Sequence, residues 1–212
     1  MDLKTEEAIR DSLKKSFQRI DAYSRKSLDE LLAITDIDES ELLTGIGEAI
    51  HRKSKHDGKQ KLSQEEQMYL AVIALDREVN NGGYTQFFLN TSREYTPMIV
   101  DSLLRIGCPV AAKITEKAIE IVTSKGLDFD KLHEGLILQL KHRSLAASTK
   151  NSKGQRIVSD TLSSDSQSEN HPKWETFAKE HHECDLLFSI SGERIGGKLI
   201  DFVQANKNAI LA

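Results

Sequence analysis

Residues 76–90, Asp-Arg-Glu-Val-Asn-Asn-Gly-Gly-Tyr-Thr-Gln-Phe-Phe-Leu-Asn, concentrate carboxylate, carboxamide and aromatic side chains in one short stretch. Glu78, Asn81, Tyr84, Gln86 and Asn90 could line a polar notch beside an aromatic wall, where a peptide, nucleotide or small ligand would dock. A buried Glu78 with a raised pKa would then serve as a general base. The same residues also have a purely architectural use. Asn80, Asn81 and the two glycines suit a helix C-cap, Gln86 and Asn90 can satisfy backbone groups freed at the turn, and the aromatics can be core.

Two other groups have chemistry-bearing composition. Asp36, Asp38, Glu39 and Glu41 place four carboxylates within six residues, a pattern that suits both a helix start and pairing with arginine or lysine on a protein partner. His181 and Cys184 share a helix face at i, i+3 and are ligand types for zinc. A metal site would need further ligands from elsewhere, and a histidine on the same face as Trp174 and Phe177 reads first as a hydrogen-bonded core residue. Cys108 or Cys184 as a nucleophile would need a base and an electropositive setting, which the sequence does not display. There is no P-loop, G-x-S-x-G or H-E-x-x-H, and no cofactor is expected.

These groups are to be positioned by helices. Ile9, Leu13, Phe17 and Ile20 recur at steps of three and four and predict a helix over 6–22. The acidic stretch at 36–41 suits the start of a helix carrying Leu42, Leu43, Ile46 and Ile50. That helix runs into Arg52, Lys53, Lys55, Lys59 and Lys61 around Asp57-Gly58, read as a solvated helix end and loop. Ser63 and Glu66 form a capping box that opens a helix over 63–80, whose middle from Met68 to Leu75 is apolar on nearly every side and so belongs at the centre of a core. Pro97 and Pro109 open two further helices, predicted to pair antiparallel. A helix bearing Leu132, Leu136, Ile137 and Leu140 follows, and then a polar segment, 147–171, without periodicity. The last two helices carry Trp174, Phe177, Ala178, His181, Cys184 and Phe188, then Ile195, Leu199, Phe202 and Val203. Gly196-Gly197 would weaken the final helix unless close packing requires them.

The expected fold is therefore all-α, a single multi-helix domain with the 63–80 helix buried and antiparallel helix pairs around it. Its segments are an N-terminal helical extension (1–62), a core (63–146), a flexible linker or loop (147–171) and C-terminal helices packed on the core (172–212). With 212 residues, 38% hydrophobic and 29% charged, the chain can bury a sizeable core. Two cysteines do not make a disulfide framework, and a reducing compartment is expected. The charge-strewn first twenty residues lack the apolar region of a signal peptide, and no apolar run is long enough to cross a bilayer, so a cytoplasmic protein without membrane association is expected. The net charge is −4. Residues 1–50 carry 12 acids against 7 bases, and residues 51–62 carry 5 bases against 1 acid. No segment is basic enough to predict direct nucleic-acid binding.

The run E-V-N-N-G-G-Y-x-Q-F-F-x-N at Glu78 to Asn90, followed by a helix pair, resembles the signature of the DNA mimic protein family, a group of bacterial helical proteins. The similarity covers about residues 65–125 and extends toward Asp185-Leu186-Leu187-Phe188 and the helix beyond. Membership implies a non-enzymatic protein whose surface carboxylates imitate DNA phosphates and occupy a nucleic-acid-binding protein, with the motif itself serving the fold. Duplex DNA presents about twenty phosphates in ten base pairs. A net charge of −4 restricts such imitation to a local patch, for which Asp36, Asp38, Glu39 and Glu41 are the candidates. Two readings of other classes stay open: a small-molecule-binding or catalytic helical domain with its pocket at Glu78 to Asn90, and an immunity-type module that neutralises a toxin.

Overall fold

The computed structural model describes residues 3–124, 126 and 171–211. Among these, eight α-helices follow one another: α1 (Leu3–Tyr23), α2 (Leu28–Leu32), α3 (Glu39–Asp57), α4 (Gln64–Leu89), α5 (Thr96–Arg105), α6 (Pro109–Ser124), α7 (His171–Ile190) and α8 (Ile195–Ala205). Short 3-10 turns lie at Lys59–Lys61 and Thr91–Tyr95, and the described residues include no strand. The all-α expectation is met. The predicted helix at Leu132 to Leu140 and the linker up to residue 170 lie outside the described residues.

Local chemistry accounts for the helix boundaries. Ser27 and Glu30 cap α2 reciprocally: the Ser27 amide donates to Glu30 Oε2 at 2.8 Å, and the Glu30 amide to Ser27 Oγ at 3.3 Å. Asp38 Oδ1 accepts the amides of Ser40 and Glu41 at 2.8 and 3.4 Å, fixing the start of α3. The capping box expected at Ser63 is present, with the Ser63 amide 2.8 Å from Glu66 Oε2 and the Glu66 amide 3.1 Å from Ser63 Oγ. Proline stands in the first turn of α5 and at the first residue of α6, where its missing N–H has no intrahelical use.

The chain packs as two compact units. The first comprises the described residues among 1–77, 95–113 and 191–212, and the second those among 78–94 and 114–190. In the first, α4 is buried nearly all round: Glu66, Met68, Tyr69, Leu70, Ala71, Val72 and Leu75 are all buried, as the uninterrupted apolar run predicts. Leu42, Leu43, Ile46 and Ile50 of α3, Ile99 and Leu103 of α5, and Leu199, Phe202 and Val203 of α8 supply the rest of that core. The Tyr69 hydroxyl donates to the Leu43 carbonyl at 2.5 Å, so the one polar atom of a fully buried ring is satisfied. At Gly196 a Cβ would lie 3.2 Å from Leu43 Cδ1, a tight contact, and 2.5 Å from Glu39 Oε1, the movable end of a partly exposed side chain.

The second unit is organised by aromatic rings. Tyr84, Phe87, Phe88 and Phe188 are buried together with His181. Phe87 and Phe88 meet edge to face at 5.2 Å, as do Tyr84 and Phe188 at 5.8 Å, while Phe88 and His181 lie 5.5 Å apart.

Candidate functional site: the Glu78 to Asn90 notch and the acidic start of α3

The backbone of α4 breaks at the glycine pair that the sequence marks as a helix end. Gly82 (φ −156°) and Gly83 (φ 76°) are non-helical, and the chain resumes as helix at Tyr84. The glycine pair thus interrupts the helix as the sequence suggests, and the arm that resumes at Tyr84 finds a cap from outside. Asp185 of α7 accepts the Tyr84 amide on Oδ1 at 2.7 Å, across 101 residues of sequence. The carboxylate sits where a helix N-terminus favours negative charge. Gly83 is required twice over, by its left-handed φ and by space, since a Cβ would lie 2.4 Å from Asp185 Oδ2.

Around this kink, Glu78 gathers the polar side chains of the motif. Its carboxylate accepts Gln86 Nε2 at 2.6 Å, Asn90 Nδ2 at 2.8 Å and Ser92 Oγ at 3.0 Å. Three donors on one half-buried carboxylate is the arrangement that compensates its desolvation. The donors come from the resumed helix and the turn after it, so the cluster pins the two arms of the kink to each other. Tyr84 is fully buried, its hydroxyl 2.7 Å from Thr115 Oγ1, and burial pushes its phenol well above the ordinary value. Asn81 is exposed. The structure therefore brings Glu78, Gln86 and Asn90 together. It leaves Tyr84 in the core and Asn81 at the surface, and the polar atoms of the cluster are turned toward one another.

His181 is buried, and its Nε2 lies 3.1 Å from the Ala118 carbonyl oxygen, to which the ring N–H donates. Cys184 is buried on the same helix, and burial raises its thiol above the ordinary range. Among the described residues, no group of three or more His, Cys, Asp or Glu side chains is gathered as a metal site would need. The side chains of Trp174, Phe177 and Ala178 lie outside the description.

The four acids before and within α3 have unequal circumstances. Asp36 is exposed. Asp38 is exposed as well, with Oδ1 engaged in the cap. Glu39 pairs with Arg194 at 3.1 Å; the arginine is largely exposed and the glutamate a little under half exposed. Glu41 is the most committed: its side chain is 14% exposed and takes Arg19 at 2.7 Å and the Ser16 hydroxyl at 3.2 Å, tying α1 to α3. Asp38, Glu39 and Ser40 line an open groove of about 290 Å³ together with the apolar Leu43 and Ile73 and the charged Asp76 and Arg77.

Carboxylates that the sequence reading left aside turn out to be structural. Glu193 accepts the Val110 and Ala111 amides at 3.0 and 2.7 Å, capping the start of α6 from more than 80 residues away. Like Asp185, it is a helix cap donated by a distant element. The only signal available for either is an uncapped helix start that demands a partner.

These features define an all-α protein whose signature motif is a helix kink locked by half-buried carboxylate contacts, with an acidic groove on a separate unit. The model of the DMP19-like protein family matches residues 60–206, and the chain belongs to that family, a DNA mimic protein family. The match contains the whole motif together with Asp185 and Glu193, while Asp36, Asp38, Glu39 and Glu41 precede it. No curated protein and no solved structure matches the chain. No helix of the described residues is long and apolar enough to cross a membrane.

Proposed function

We propose that the chain is a non-enzymatic protein-binding module that occupies a nucleic-acid-binding protein by imitating a short length of DNA backbone at the acidic start of α3. Family membership supports the class of function. Its location is supported by one observation: Asp38 and Glu39 line a groove that also contains Leu43 and Ile73, and Asp36 stands exposed just before them. Such a groove accepts an arginine or lysine whose methylene stem lies on Leu43 and Ile73 while its cation meets the carboxylates.

The pairing of Glu39 with Arg194 does not oppose this. Exposed ion pairs are worth about 0–1 kcal/mol, so a partner's guanidinium can take the place of Arg194 at little cost. Glu41 is held by α1, and its role is to keep that face acidic rather than to touch the partner. With a net charge of −4 the molecule supplies a local patch and no extended field, so affinity should come from a few contacts and weaken with salt.

The test is capture of binding proteins from a native extract at low and high salt, with Asp36→Lys/Glu39→Lys as control, followed by competition with duplex DNA. A nucleic-acid-binding protein that is retained at low salt, displaced by DNA and lost in the double variant is the expected outcome. Retention of the same partner by the double variant would remove α3 from the interface, and a partner indifferent to DNA would refute mimicry.

A further inference from the structure

Glu66 is fully buried, and its two carboxylate oxygens join three parts of the first unit. Oε2 accepts the Ser63 amide within the capping box of α4. Oε1 accepts two donors at once: Lys53 Nζ of α3 at 3.0 Å and the Leu211 amide at 2.9 Å. The segment after α8 reaches this carboxylate by a defined route. Lys207 Nζ lies 2.9 Å from Asp29 Oδ1 of α2, Ile210 is 1% exposed, and Leu211 follows with φ 59°. Among the described residues, Leu211 alone takes a positive φ without being glycine. A left-handed backbone is unfavourable for an L-residue, and it is adopted at the very residue whose amide meets Glu66.

We infer that residues 207–211 form a strap that couples α3 to the start of α4 through the shared oxygen of Glu66, so that releasing the strap loosens the end of α3. The argument is electrostatic. With Leu211 and Ile210 in place, water is kept from Oε1 and the Lys53 contact operates in a poorly solvated setting, where an ion pair is strong. When the strap leaves, the carboxylate is wetted, the Lys53 pair falls to the value of a surface contact, and the hold on the last turn of α3 and the Lys59–Lys61 turn weakens. Glu66 can tolerate burial only because all three donors are present. The strained Leu211 makes the strap the easiest of the three to withdraw. This coupling is independent of whether α3 docks a partner.

Amide hydrogen exchange on the full chain tests it with two substitutions at one position. Leu211→Pro removes the N–H and cannot adopt the native φ. It should speed exchange about tenfold or more at Ser63 and at residues 55–58, the scale set by losing a charge-assisted hydrogen bond. The Tyr84 amide, capped by Asp185 in the other unit, should keep its rate. Leu211→Gly keeps the N–H and relieves the backbone, so protection at Ser63 should be retained or increased. Unchanged exchange at Ser63 and 55–58 in Leu211→Pro would overturn the coupling. Equal acceleration at Tyr84 would overturn it too, since that would report general destabilisation.

Discussion

At Glu78, the same carboxylate that suggested a catalytic base from the sequence is engaged by Gln86, Asn90 and Ser92. Replacing it with glutamine turns an all-acceptor group into one that points an NH2 at neighbouring donors. Glu78→Gln should therefore cost about 1–3 kcal/mol of stability, measured by urea denaturation. A variant as stable as the parent would show that the cluster does not hold the kink, and would return the notch to consideration as a ligand site. Gly83 and Asp185 allow a sharper experiment. Gly83→Ala meets both an unfavourable φ of 76° and a carboxylate oxygen 2.4 Å from the new Cβ, so a loss of about 2 kcal/mol or more is expected. Asp185→Ala removes a cap worth about 1 kcal/mol. Because the second change also removes the clash, the double variant should lose less than the sum of the two. Strict additivity in that cycle would mean that Gly83 and Asp185 are not in contact.

At the level of elements, α2 and α3 depend on carboxylates at their starts. The backbone and hydroxyl of Ser27 hold the Glu30 carboxyl below its ordinary value of 4.5. A depressed folded-state value means that the cap's contribution is fully present above the ordinary value and is lost as pH falls through the lower one. Carboxyl titration by NMR should show Glu30 titrating below 4.5 in the parent and returning toward it in Ser27→Ala. Asp38→Ala should destabilise α3 by about 1 kcal/mol, because the amides of Ser40 and Glu41 lose their acceptor. That loss is the reason the partner-binding test uses Asp36 and Glu39: reversing all four acids would confuse a lost cap with a lost contact. Glu193 at α6 and Asp185 at the kink extend the same physics to elements distant in sequence.

For the molecule as a whole, both cysteines are interior, with no exposed thiol among the described residues. Burial, with Glu193 adding to it, pushes the Cys108 thiol up to about 11, and burial raises Cys184 as well. Thiolate is the reactive form, so a thiol reagent at pH 8 should label neither residue in the folded protein and both in denaturant. Rapid labelling of one without denaturant would reveal a local opening around it. The distribution of charge matters more than its sum. Glu66, Glu78, Asp185 and Glu193 are used to hold amides, amide side chains or a lysine, which removes four carboxylates from any phosphate-like surface. This leaves the acidic groove at α3 as a local feature on a mixed-charge molecule.

Helical content, the buried run of α4, the capping box at Ser63 and the break near Gly82-Gly83 were legible in the sequence, because propensity, periodicity and capping act over a few residues. The inward face of α7 was legible for the same reason, as far as His181, Cys184 and Phe188 are concerned. The candidate site was readable as a set of residues but not as a set of roles. Whether Glu78 faces solvent or three donors depends on how the chain returns after the kink. Whether Glu41 is free depends on the approach of α1, which brings Arg19 to it. The caps donated by Asp185 and Glu193, and the hold of Leu211 on Glu66, join residues 82 to 145 positions apart. Contacts at that separation leave no periodic trace, since each is set by the packing of whole helices and not by the spacing of neighbours along one of them.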